Sequence, residues 1–278
     1  MICKTVELSV AYPETPCGGQ KPAAPAVLQI YLHGTSHEMP LPPRPAMVIF
    51  PGGGYGFTSD REAEPVALRF MDMGYNCFVL RYSVAPVRFP AQLLEAAAAI
   101  ATVRAHADEW GVDPARIAVV GFSAGGHLTA HIGVHWNREW VYGTLGLSAE
   151  DVRPNAIIPC YPVISSGEFA HVGSFQNLLG EKFGDAQYMR LASLEEQVSA
   201  DTPPTFLWHT FNDGCVPVEN SLLFAAALRR AGVPFELHVL PDGQHGLSLA
   251  NAEVCTPNPA CAEWPRLADR FLRETVWP

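Results

Sequence analysis

Charge is scarce in this 278-residue chain, and positive charge is scarcest: 18 lysines and arginines face 28 aspartates and glutamates, for a formal charge of −10. That balance excludes the basic surface on which nucleic acids and anionic membranes are bound. Long apolar runs are missing too, since none approaches the roughly 20 residues needed to span a bilayer. The seven cysteines (Cys3, Cys17, Cys77, Cys160, Cys215, Cys255 and Cys261) are odd in number and form no Cys-x-x-Cys pair. They fit free thiols in a reducing compartment better than a disulfide framework. No basic segment with an apolar stretch behind it precedes the strand-like alternation of Met1–Val10, so a cytoplasmic protein is expected. Internal repeats and low-complexity tracts are likewise missing. Apolar residues, at 48%, are plentiful enough for a sizeable core.

Short apolar runs at Val27–His33, Ala46–Phe50, Cys77–Tyr82, Arg116–Val120, Ala156–Pro159, Thr205–His209 and Phe235–Leu240 read as strands. Helical patterns lie between them: Glu62–Met73, Ala91–Trp110, the stretch from Gly126 to Ile132, Val218–Arg230 and Glu263–Thr275. In the second, Leu93, Leu94, Ala97, Ile100, Ala101 and Arg104 recur at helical spacing. Asp113-Pro114 separates it from the next strand. Residues 13–25 and 36–45 are proline- and glycine-rich loops. Strand–helix alternation predicts an α/β fold with a mostly parallel sheet covered on both faces. The chain is expected to form a single catalytic domain over 1–278. Its least regular stretch, 136–204, is expected to hold an insertion that caps the functional edge.

Gly121-Phe122-Ser123-Ala124-Gly125 is a Gly-x-Ser-x-Gly pattern placed between a strand and a helix. On such a turn the serine hydroxyl is held exposed, in a strained conformation that flanking glycines permit. It also sits at a helix N-terminus, which favours developing negative charge. A serine needs a base, and the base needs an orienting acid. In this architecture they follow at the ends of later strands, in the order acid then histidine. Asp213, in His209-Thr210-Phe211-Asn212-Asp213-Gly214, and His245, in Gly243-Gln244-His245-Gly246, meet that requirement. Asp242 and Glu219 are the rival acids, the first too near His245 in sequence and the second on a following helix. Gly52-Gly53-Gly54 ends the second apolar strand of the series, so Gly53 and Gly54, with the amide of Ala124, are the expected oxyanion donors. No Gly-Lys-Ser/Thr follows these glycines, which argues against a phosphate loop. His127, His131 and His135 share one helix face but lack the glutamate or cysteine that would complete a metal set, so core packing is expected and no metal. No cofactor is called for.

With those residues in view, the chain resembles the α/β-hydrolase superfamily. It is similar in particular to the acetyl-xylan esterase-like group related to bifunctional feruloyl/acetyl esterases, itself related to hormone-sensitive-lipase-like esterases. The resemblance rests on Pro51–Tyr55, Val112–Ile117 running into Gly121–Leu128, Cys160–Ser165, Thr202–Thr210 with Asp213 and Val216-Pro217, and Gly243–Gly246. Lipase-like enzymes usually carry histidine where Pro51 stands, which points away from that branch. The resemblance implies a cofactor-independent serine carboxylesterase that removes short acyl groups, acetyl above all, from xylo-oligosaccharides or related sugars. A peptidase or aryl formamidase on the same fold, and a catalytically silent binding protein, are the alternatives. Tyr55, Tyr161 and Trp208 are expected to flank the sugar or acyl group. The expected partner is a small-molecule or oligosaccharide ester, with no nucleic acid or membrane, and a homo-oligomer is left open.

Overall fold

The structure, a computed structural model, describes the chain except residues 14–16, 39 and 278. The loops read at 13–25 and 36–45 fall partly on 14–16 and 39, which lie outside the described residues. Eight strands form one sheet: β1 (Ile2–Glu7), β2 (Val27–Leu32), β3 (Arg44–Phe50), β4 (Asn76–Arg81), β5 (Val112–Phe122), β6 (Ala156–Cys160), β7 (Thr205–Thr210) and β8 (Phe235–Leu240). Their order is β1-β2-β4-β3-β5-β6-β7-β8. β2 runs antiparallel to both β1 and β4, and the remaining pairs are parallel.

The central strands are apolar throughout because both of their faces are buried. Ala46, Val48 and Phe50 of β3, with Ile117 and Val119 of β5, enter one core, together with the Ala91–Ala105 and Ala124–His135 helices. Met47 and Ile49, with Ala118, Val120 and Phe122, enter the opposite core, under the Glu64–Asp72 and Trp264–Phe271 helices. The period of two along each strand therefore sorts its residues between two hydrophobic layers rather than between core and water.

Two sequence expectations need correcting. The helix read over Ala91–Trp110 ends at Ala105; His106 breaks it, and a single turn, Ala107–Trp110, follows and closes on Gly111 at φ 61°. Asp113-Pro114 lies inside β5, where the register with β3 shifts and the Asp113 carboxylate accepts the Ala115 amide at 2.9 Å. The irregular 136–204 stretch is interrupted by β6, an interior strand of the sheet between β5 and β7. Its first part folds back on the Ala91–Ala105 helix, where Arg104 donates to the carbonyls of Asp151 and Arg153 at 2.6 and 2.7 Å. Its second part, 161–204, carries the helices Val172–Leu179 and Ala186–Ala192 and runs from β6 to β7 along the carboxyl edge of the sheet. Among the described residues, no helix is long and apolar enough to cross a membrane.

Candidate active site

The chain leaves β5 at Phe122 and enters the Ala124–His135 helix at once, with Ser123 at φ 53°, ψ −116° between them. A non-glycine residue there is strained, and the strain is held by surrounding hydrogen bonds. The Ser123 amide donates to the Cys160 carbonyl at 3.0 Å, and its own carbonyl accepts from His127 at 2.9 Å and Val163 at 3.1 Å. Close approach dictates both flanking glycines. A Cβ at Gly121 would overlap the Gly125 carbonyl, and one at Gly125 would overlap the carbonyl oxygens of Phe50 and Pro51.

The carboxyl ends of β5, β7 and β8 converge on one point, the edge at which parallel α/β sheets bind ligands. His245 Nε2 lies 2.8 Å from Ser123 Oγ, and its Nδ1 lies 2.7 Å from Asp213 Oδ2. The other Asp213 oxygen accepts the amides of Cys215 and Val216 at 2.9 and 3.0 Å. His209 Nε2 stands 3.4 Å from Oδ2, and the His209 ring is fixed by Ser221 Oγ at 2.8 Å. Burial alone would push the Asp213 carboxyl up, but the hydrogen bonds from His209 and His245 and the charge of His245 outweigh it and hold the group well below the usual carboxylate range. The rivals stand elsewhere. Asp242 is exposed and accepts from the Asn212 side chain, and Glu219 opens the Glu219–Ala231 helix.

Gly53 and Gly54 line the cleft beside Ser123 and adopt φ 129° and 61°. Gly53 is confined further, because a Cβ there would overlap the Phe57 carbonyl. Among the described residues neither of their amides donates to the protein, whereas the Gly52 amide is taken by Glu62 Oε2 at 2.7 Å. Ala124 is the first residue of its helix, so its amide has no intrahelical acceptor.

The three aromatic residues expected to flank substrate are in the core instead. Tyr55, Tyr161 and Trp208 are 1%, 2% and 0% exposed, and none lines the cleft. The Tyr55 hydroxyl meets His127 Nδ1 at 2.8 Å, and Trp208 stacks on Trp264 with ring centres 5.8 Å apart. Tyr161 packs edge-on against the His245 ring at 5.2 Å and donates to Glu62 Oε1 at 2.7 Å. Tyr55 follows Gly54, which lines the cleft, whereas Tyr161 and Trp208 follow the buried Cys160 and Leu207.

The cleft has a volume of about 480 Å³, and the sequence reading missed most of its walls: Phe57, Thr58–Glu62, His171, Cys215 and Gly246. Phe57 is the exposed aromatic of the group, at 62%. His171 arrives from the 161–204 segment and is pinned to Ser174 Oγ at 2.8 Å; burial, then the neighbouring His245, push its pKa down. Nothing local in the sequence marks His171, because it meets Ser123 only through the fold.

His127, His131 and His135 are all buried and pack in series, with ring centres 5.3 and 5.0 Å apart. Both His127 nitrogens are engaged, by Tyr55 and by the Ala192 carbonyl at 2.9 Å. His131 stacks on Phe89 at 5.5 Å, and neither of its nitrogens has a partner among the described residues. Burial pushes His127 and His135 down to about 4 and His131 well below its usual value. The seven cysteines are all free thiols.

Comparison with known proteins agrees with this architecture. Among curated proteins, endo-1,4-beta-xylanase B of Butyrivibrio fibrisolvens is 39% identical over 80% of this chain, and an acetylxylan esterase of Xylanibacter ruminicola is 32% identical over 72%. The chain spans only 35% and 40% of the length of those two proteins. Two solved structures match it nearly end to end. The acetyl ester-xyloside bifunctional hydrolase from Caldicellulosiruptor lactoaceticus is 40% identical with a TM-score of 0.85, covering 99% of this chain and 97% of that one. The carboxylesterase Cest-2923 from Lactobacillus plantarum is 29% identical with a TM-score of 0.84, covering 99% and 98%. The BD-FAE family model matches residues 28–228. With that model and an eight-stranded sheet bearing the serine elbow, the chain belongs to the BD-FAE family of α/β-hydrolases.

Proposed function

We propose that the protein is a serine carboxylesterase acting on short acyl esters, acetyl groups on xylo-oligosaccharides or related sugars in particular. The observation that carries the chemistry is the unbroken chain Ser123 Oγ–His245–Asp213 at 2.8 and 2.7 Å. His245 takes the Ser123 proton as the oxygen attacks the ester carbonyl, then returns it to the leaving alkoxide. Asp213 keeps Nδ1 protonated and stabilises the imidazolium that forms. The amides of Gly53, Gly54 and Ala124 receive the oxyanion, and water then attacks the acyl-enzyme with His245 as base. The 161–204 segment serves as a cap that contributes His171 to the cleft wall. For the sugar, support comes from the relatives named for xyloside and acetylxylan chemistry. The free cysteines support a reducing, cytoplasmic setting, in which the substrate is an imported oligosaccharide rather than intact polymer.

Ser123→Ala is expected to fold and to lose nearly all p-nitrophenyl acetate hydrolysis and all labelling by a fluorophosphonate probe. Survival of more than a few per cent of the activity removes Ser123 from this role. Acetate release from acetylated xylo-oligosaccharides, mannan oligosaccharides and aryl esters, measured side by side, tests the substrate. Cleavage of peptide amides without acetyl esters turns the reading toward a peptidase.

A further inference from the structure

Glu62 is a carboxylate in an unusual place. It is only 3% exposed, it lines the cleft, and no step of the reaction above uses it. Burying a carboxylate costs several kcal/mol unless its oxygens are satisfied. Here each oxygen accepts one strong hydrogen bond, Oε2 from the Gly52 amide and Oε1 from the Tyr161 hydroxyl, both at 2.7 Å.

The two donors belong to different parts of the site. Gly52 precedes the two glycines whose amides are free for an oxyanion. Tyr161 follows Cys160, whose carbonyl holds the Ser123 amide. The Tyr161 hydroxyl also accepts the Ser248 amide at 2.8 Å, three residues past His245, while its ring lies edge-on to the imidazole. Ser248 Oγ closes the circuit on the Arg61 carbonyl, next to Glu62 itself. Tyr161 and Ser248 hold φ of 34° and 53°, so both loops are kept in strained conformations at the points where this network grips them.

We propose that Glu62 is a positioning residue: its carboxylate locks the oxyanion loop at Gly52 to the His245 loop through Tyr161 and Ser248. The inference rests on the esterase reading given above. The groups that face the carboxylate are the Tyr161 and Tyr82 hydroxyls, the Cys160 thiol, the Arg61 guanidinium and the His245 imidazole. Two of these carry or acquire positive charge, so an ionised Glu62 also favours the imidazolium formed during acyl transfer. Burial raises the Glu62 pKa, and the bonds from Tyr161 and Gly52 oppose that rise.

Three variants test the proposal on p-nitrophenyl acetate. Glu62→Met fills the space and leaves the Gly52 amide without an acceptor. It is expected to lower kcat about 10- to 100-fold, the scale of a small displacement of catalytic groups, with KM nearly unchanged. Glu62→Gln restores an acceptor for Gly52 without the charge, so part of kcat returns and the acid limb of the kcat/KM profile moves to lower pH. Tyr161→Phe keeps the ring and cuts the link, and lowers kcat in the same direction. Should Glu62→Met fail to fold, the other two carry the test. Wild-type kcat in Tyr161→Phe with an unshifted pH profile in Glu62→Gln overturns the inference, whatever either change does to stability. An active Ser123→Ala instead overturns the serine mechanism beneath it, so the two failures are distinguishable.

Discussion

Ser123 separates two populations of histidine whose surroundings could hardly differ more. On the helix side, His127, His131 and His135 are packed in an apolar interior and, among the described residues, have no carboxylate as a hydrogen-bond partner. On the loop side, His245 is partly exposed, with 19% of its side chain accessible, and shares a hydrogen bond with buried Asp213. Desolvation without a counter-charge keeps an imidazole neutral and inert as a base near neutrality. A carboxylate partner and an opening toward solvent are what allow an imidazole to accept and release a proton during turnover. Spacing along the chain groups the three helix-side histidines, yet it is the solitary His245 that stands between a carboxylate and Ser123.

The largest effect expected from breaking this contrast is on the loop side. Asp213→Asn should lower kcat by about 10⁴-fold, as loss of the orienting carboxylate does in a Ser-His-Asp triad, while the exposed Asp242→Asn should stay within about threefold of wild type. Steady-state kinetics of the two variants decides it, and the opposite ranking would transfer the acid role to Asp242.

The helix side should reveal itself in stability against pH rather than in activity. His127 and His135 are lowered to about 4, and His131 lies well below its usual value, so between pH 6.5 and about 4 the unfolded chain binds protons that the folded chain refuses. The stabilisation is therefore fully present above pH 6.5 and is lost as pH falls toward 4, at up to about 4 kcal/mol per pH unit when all three contribute. Asp213, whose folded pKa is depressed, acts in a different window, since its contribution disappears only below the ordinary aspartate range near 3.8. Urea midpoints at pH 7.5, 6.0 and 5.0 check this, and a flat profile across that range contradicts it.

Smaller effects should separate the buried histidines from each other. His127→Leu strands the Tyr55 hydroxyl and the Ala192 carbonyl, and should cost about 1–3 kcal/mol. His131→Leu strands nothing and removes two unpartnered nitrogens, so stability at pH 7.5 should change by less than about 1 kcal/mol. The same variant should make the acid slope shallower by about 1.4 kcal/mol per pH unit. Equal losses from both substitutions would show that the Tyr55–His127 bond contributes nothing measurable.

Much of this architecture was legible because it is written locally. β8 lies where the alternation placed it, at Phe235–Leu240, and the elbow, the triple glycine and the two loop residues stand at strand ends as their spacing implied. The misreadings have specific causes. Trp208 lies on a strand buried on both faces, where no alternation tells a core aromatic from a pocket aromatic. Tyr55 and Tyr161 adjoin motif residues, but the backbone turns at each with positive φ and both rings are buried. Glu62 sits where a helix was expected to begin, and an acidic residue in a first turn is ordinary. Only its two partners, one of them 99 residues away in the chain, make it notable.

By itself the sequence determined the order of strands and helices, the strained turn at Ser123 and the kind of residue offered by each loop. These depend on periodicities and glycine requirements that act over a few residues. Tertiary structure alone decided which of the ten histidines stands between a carboxylate and Ser123, which aromatic residues line the cleft and what Glu62 holds. Those outcomes depend on the convergence of β3, β5, β7 and β8 at one edge, which sets distances of a few ångströms between residues far apart in the chain. Hydrogen bonds and desolvation act over that range, and no spacing along the chain encodes it.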